Sequence, residues 1–193
     1  MTETVEQQKA PRARAGGIAW LFVLTAILIA ALDLGSKAWA WGFVEAHGDG
    51  EYFKVYSVVA PWFKLVKAEN PGTVWGLFQN ATPILVGVRC VMVVVICVLA
   101  WRTPKTDRGK LIGFGLVLGG ALGNLYDNLF RESGAVRDFL DFHIPLPWRE
   151  NLYHYPTFNV ADSAILTGAV LLFLAFGREG KTERSRAAES AES

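Results

Sequence analysis

Four long apolar runs constrain this chain more than any other feature. They extend from Ile18 to Trp41, Pro83 to Trp101, Leu111 to Phe130 and Phe158 to Phe176. Each is close to the ~20 residues that a helix needs to cross the hydrocarbon of a bilayer. No soluble fold of 193 residues needs four of them. Lipid offers the backbone no hydrogen-bond partner, so each run is predicted helical. The predicted class is an all-α membrane protein with four transmembrane helices. Composition agrees: 19% of residues are charged, where soluble domains carry about a quarter. The formal net charge of +1 leaves no basic excess for nucleic acid. Cys90 and Cys97 are too few for a disulfide framework.

Residues 16–177 are read as one membrane domain, and 1–15 and 178–193, rich in Glu, Ala, Ser, Arg and Lys, as disordered tails. Four spans put both tails and the 102–110 connection on one side. Lys9, Arg12, Arg14, Arg102, Lys105, Arg108, Lys110, Arg178, Lys181, Arg184 and Arg186 lie there. They outnumber Lys54, Lys64, Lys67, Arg131, Arg137 and Arg149 on the other side. The bias predicts cytoplasmic termini and extracytoplasmic segments at 42–82 and 131–157. The competing reading of the first run is a secretory leader cut at Ala38-Trp39-Ala40, but Asp33 and Lys37 interrupt the approach to that site. Within 42–82, Tyr52–Val59 and Trp62–Val66 read as a small β-structure, with Trp62, Phe63 and Trp75 as interfacial aromatics. The 131–157 segment reads as a loop or helix.

Polar residues inside spans are costly, so they are functional candidates. The topology gathers them at one depth. Asp33 and Lys37 close the outer third of the first span, Asn124 and Asp127 end the third, and Asn159 and Asp162 begin the fourth. Asp138 and Asp141 follow in the outer segment. Asp33 and Lys37, four apart, share a helix face and can pair, although Lys37 could equally snorkel to the headgroups. Gly115, Gly119 and Gly123, with Gly120, let helices approach closely, and that packing would help bring Asn124 and Asp127 near the fourth span. Arg89, about two turns inside the second span, could snorkel or pair with an inward-facing aspartate. His47, His143 and His154 show no metal-ligand spacing, so neither metal nor cofactor is expected. Carboxylates remain. Two held close together share a proton, one serving as base to a water and the other as acid. That is aspartic-protease chemistry, for which Asp127, Asp138, Asp141 and Asp162 are the available partners.

Five motifs in order resemble the bacterial lipoprotein signal peptidase (signal peptidase II) family. Asp33-Leu-Gly-Ser-Lys37 is similar to its D-x-x-[ST]-K, and Asn70-Pro-Gly72-Thr-Val-Trp75-Gly76 to its N-x-G-x-[AS]-[FW]. Gly119-Gly-Ala-Leu-Gly-Asn124-Leu-Tyr-Asp127 resembles G-G-x-x-G-N-x-x-D-R, and Val136-Arg-Asp138-Phe139 resembles V-x-D-[FM]. Phe158-Asn159-Val-Ala161-Asp162-Ser-Ala-Ile165 resembles F-N-x-A-D-x-x-I. The resemblance implies a membrane aspartic endopeptidase with Asp138 and Asp162 as the catalytic pair. Asp33, Lys37, Asn70, Gly72, Asn124, Asp127, Asn159 and Ala161 would support the pair or bind substrate, and Asp141 would be a solvated loop residue. The implied substrate is a prolipoprotein whose cysteine carries a diacylglyceryl group, cut just before that cysteine by a monomer in the bacterial inner membrane. Two departures stand out: Asn128 occupies the place of the arginine after Asp127, for which Arg131 or Arg137 could substitute, and Arg137 replaces a usually apolar residue. A proton-linked carrier and a non-catalytic assembly factor are the alternatives to an enzyme.

Overall fold

The structure, a computed structural model, describes residues 19–50, 54–72 and 82–192, with backbone alone at 82 and over 179–189 and 191–192. These residues form four long helices: α1 (Trp20–His47), α2 (Thr82–Arg102), α3 (Arg108–Phe130) and α4 (Val160–Glu192). They also form an antiparallel sheet of β1 (Val55–Val59), β2 (Phe63–Asn70), β3 (Val136–Ile144) and β4 (Tyr153–His154), in that spatial order. Trp75 and the rest of 73–81 lie outside the described residues, as does the 1–15 tail.

Burial runs opposite to that of a protein in water. Asp33 and Lys37 on α1 are wholly buried, while Leu24, Ile27, Leu28 and Leu32 on the same helix are more than half exposed. On α2, Ile84, Val88, Val91 and Val94 are exposed as well. An apolar surface of this extent needs an apolar solvent. By length and composition, α1, Pro83–Arg102 and Val160–Arg178 can cross a membrane. α3 differs because its glycines and its polar last turns lower its hydropathy. It is instead the buried centre of the bundle, packed by α1, α2 and α4.

The glycines of α3 explain that position. A Cβ on Gly119 would lie 2.6 Å from the Ala26 carbonyl oxygen, and one on Gly123 only 2.3 Å from Asp33 Oδ2. The stripe Gly115-Gly119-Gly123 therefore seats α1. Gly113 and Gly120, seven residues apart on another face, admit α4, and a Cβ on Gly120 would meet the Ala161 carbonyl oxygen at 2.5 Å. α1 runs unbroken through the leader-like Ala38-Trp39-Ala40, with Ala40 fully buried.

Two differences from the sequence expectations concern the ends of elements. The backbone of α4 continues to Glu192, through the tail expected to be disordered from 178. Its Ala, Glu, Arg and Lys content has strong helix propensity, and it contains no proline. The 131–157 segment holds strands rather than a loop or helix. β3 alternates Asp138, Leu140, Phe142 and Ile144 on one side with Arg137, Phe139, Asp141 and His143 on the other. It pairs with β2, Ala68 opposite Asp138 and Lys64 opposite Asp141. The sheet thus draws on both the 42–82 and the 131–157 segments. Phe63 stacks on Phe142 within it (centroids 4.6 Å apart), while Trp62 is exposed. Leu65 and Phe139 pack on Ala40 and Val44, which seats the sheet on the C-terminal end of α1. Burying one such side chain contributes about 1.5–3 kcal/mol. The ends of α1 and α3 and the start of α4 therefore meet beneath the sheet.

Candidate active site

A balanced charge cluster forms the floor. The i, i+4 spacing places Lys37 Nζ 2.7 Å from Asp33 Oδ2. The same ammonium lies 3.3 Å from Asp127 Oδ2 and donates to Asn124 Oδ1 at 2.9 Å. Lys37 does not snorkel, because these oxygens replace water inside the bundle. Asp33 Oδ1 accepts the Ala161 backbone N–H at 2.9 Å. That N–H belongs to the first turn of α4, where no helical carbonyl is available to it. Asp127 accepts from Arg137 three ways: the backbone N–H to Oδ2 at 2.9 Å, Nε to Oδ1 at 3.0 Å and Nη2 to Oδ1 at 2.6 Å. Arg137 thus fills the place left by Asn128, reaching Asp127 from β3 rather than from the next position on α3. Arg131 does not; it pairs with Glu69 at 2.7 Å. Asn128 accepts from Arg89, tying α2 to α3, and donates to the Gly134 carbonyl at 2.7 Å.

Above this floor lie Asp138 and Asp162. Asn159 and Asp162 form a capping box at the start of α4. Asn159 Oδ1 accepts the Asp162 N–H at 2.9 Å, and Asp162 Oδ2 accepts the Asn159 N–H at 3.2 Å. The three-residue interval in Phe158-Asn159-Val-Ala161-Asp162 therefore aims the Asp162 carboxylate by local helix chemistry. Asn124 Nδ2 holds its other oxygen at 2.9 Å. Asn159 Nδ2 meanwhile donates to Asp138 Oδ1 at 2.7 Å, so one residue bonds both carboxylates. Asn70 Nδ2 donates to Asp138 Oδ2 at 3.0 Å. The Asn70 amide is itself oriented by the Gly72 N–H, which donates to Asn70 Oδ1 at 2.8 Å. Gly72 has φ +82°, a turn conformation that a Cβ would disfavour. Burial pushes the Asp138 carboxyl up to about 6, and the charge of Asp162 adds to that shift against the hydrogen bonds from Asn70 and Asn159.

An apolar groove lies against Asp162, lined by Phe142, Ile144, Tyr155, Phe158 and Leu166. The sequence reading did not single out these residues. The alternation of Phe142 and Ile144 along β3 is the signal that marks a common face. Asp141, expected to be solvated, is buried on β3 at 5% exposure. His143 and His154, far apart in linear spacing, meet beside it because β4 pairs with β3.

A family model described as Signal peptidase (SPase) II matches residues 25–177. The lipoprotein signal peptidase of Yersinia pseudotuberculosis serotype O:1b (strain IP 31758) is 38% identical over 162 residues, 81% of this chain and 85% of its own. That of Yersinia pestis (strain Pestoides F) is 37% identical with the same coverage. Two solved structures, each described as a bacterial membrane enzyme, share the fold. One has a TM-score of 0.69 at 19% identity, covering 86% of this chain and 93% of that one. The other has 0.65 at 20% identity, covering 83% and 95%.

Proposed function

Because this chain belongs to the signal peptidase II family, it is a bacterial inner-membrane peptidase that removes signal peptides from prolipoproteins, and we propose that it does so as an aspartic endopeptidase whose catalytic pair is Asp138 and Asp162. The observation that carries this reading is the position of Asn159, whose side chain holds one carboxylate while its backbone N–H holds the other. Asp138, whose carboxyl is pushed up to about 6, is the acid, and Asp162 is the base.

Asp162 takes a proton from water as the water oxygen attacks the scissile carbonyl carbon. Asp138 gives its proton to the carbonyl oxygen, forming a gem-diol. In the collapse, Asp162 returns a proton to the leaving nitrogen, one diol hydroxyl reprotonates Asp138, and the C–N bond breaks. The products are a carboxyl on the signal peptide and an amine on the cysteine. This chemistry calls on no cofactor. Asn124 and Asn70 hold the two acids in place. Asp33, Lys37, Asp127 and Arg137 are positioning residues that lock α1, α3, α4 and β3 around them. Ala161 supplies a backbone donor and lets α4 approach Gly120.

The substrate is a prolipoprotein whose diacylglyceryl cysteine follows the cut bond. Its acyl chains stay in the bilayer, and the apolar residues before the cut lie along the groove beside Asp162. This placement requires α3 to be the fourth span. Its 23 residues give about 35 Å of helix, enough to cross, and its neighbours shield its polar end from lipid. The Lys/Arg bias supports cytoplasmic termini and an acid pair near the outer face. The test is to incubate detergent-purified protein with a lipidated prolipoprotein. Asp138→Asn and Asp162→Asn should each abolish cleavage while the protein still inserts. Near-normal cleavage by either variant would overturn the assignment.

A further inference from the structure

On the outer sheet, β3 and β4 assemble a second cluster that the peptidase chemistry does not use. Asp141 and His143 are two apart on β3, so both leave the same face. His154 on β4 is the cross-strand partner of His143, which brings it to that face too. Asp141 Oδ2 lies 3.0 Å from His143 Nε2, and Asp141 Oδ1 lies 2.6 Å from His154 Nε2. The two rings stack with centroids 4.9 Å apart. One ligand atom from each residue falls within 4.8 Å of the others. The carboxylate is anchored inside, its side chain 8% exposed, whereas the His154 ring is 57% exposed. An ion can therefore enter from water.

We propose that Asp141, His143 and His154 form a zinc site at the paired ends of β3 and β4. Two imidazole nitrogens and one carboxylate oxygen are a donor set that zinc favours, with water as the fourth ligand. Metal–ligand bonds of about 2.1 Å place tetrahedral ligand atoms about 3.4 Å apart. Modest rotation of the two partly exposed rings opens the 3.0 and 2.6 Å nitrogen–oxygen separations to that value and sets the two nitrogens at the same spacing. In the metal-free form the carboxylate bridges the two imidazoles by hydrogen bonds, so the side chains are already gathered. The bound ion clasps β4 to β3. Residues 155–159 run from β4 directly into Asn159, so the clasp steadies the approach to α4 without entering the hydrolytic step.

The full chain in detergent, stripped with chelator, is titrated with zinc chloride by calorimetry and separately with cobalt(II) followed by visible absorption. One zinc per chain is expected with a Kd of about 10 μM or tighter. Cobalt should give the intense bands of a four-coordinate ion. His143→Ala and His154→Ala should each weaken binding by roughly tenfold or more, while His47→Ala leaves it unchanged. The wild-type cobalt spectrum decides even if a variant misfolds. A pale six-coordinate spectrum, millimolar affinity, or zinc binding that survives loss of both His143 and His154 would overturn the site.

Discussion

Replacing Asp138 by asparagine should stop the enzyme and, above neutral pH, stabilise its fold. The magnitude follows from the environment of the side chain. Asp138 is 2% exposed, and burial together with the charge of Asp162 pushes its carboxyl from 3.8 up to about 6. Between those values the folded chain holds a proton that the unfolded chain has released. Stability therefore falls as pH rises through that window. Two pKa units correspond to about 3 kcal/mol, fully expressed above pH 7 and absent below pH 4. Asparagine keeps the shape but offers one acceptor oxygen to two donors, Asn70 Nδ2 and Asn159 Nδ2. The unmatched donor costs about 1 kcal/mol, leaving a net gain of about 2 kcal/mol at pH 8. For a chain of this length that is roughly 5 °C in Tm. The assay is thermal unfolding of wild type and Asp138→Asn in one detergent, followed by tryptophan fluorescence from pH 4 to pH 8. The variant's advantage should grow with pH and vanish at the acid end. A variant no more stable than wild type at pH 8, or a difference independent of pH, would refute the reasoning that catalysis here is maintained at the expense of stability.

Other perturbations test the surrounding frame. Lys37→Met strands Asp33 without a cation and should cost about 3–5 kcal/mol, seen as a lower Tm or loss of extractable folded protein; an unchanged Tm would show that the cluster is not paired as described. Gly123→Val places carbon where Asp33 Oδ2 sits 2.3 Å away, whereas a Cβ on Gly35 meets nothing within 4 Å. The first should cost about 1–3 kcal/mol or more and Gly35→Ala almost nothing, and equal effects would count against glycine-mediated seating of α1. Asn70→Ala removes a bond that lowers the Asp138 pKa. The alkaline limb of kcat/KM should then move up by as much as about one unit, and a downward shift would argue that Asp138 is not the acid.

Local chemistry made much of this protein readable from its sequence. The apolar runs announce the helices because lipid leaves the backbone no other partner. The four-residue step from Asp33 to Lys37 expresses helix geometry, and the pair meets as that geometry requires. The proposed acid pair was not legible in this way. Physics left four aspartates open, and the choice of Asp138 and Asp162 came from motif resemblance. Tertiary structure decided the contacts that depend on strand register and on which helix faces meet. Arg137 reaches Asp127 because β3 returns over the end of α3, and Gly119 faces α1 rather than α4. Asp141 is buried, and His143 meets His154, because β4 pairs with β3 across an eight-residue connection of 145–152. Periodicity along a chain reports which face of an element is apolar, but not which distant segment will cover it. That depends on the packing of the whole bundle and on the sheet that closes one end of it.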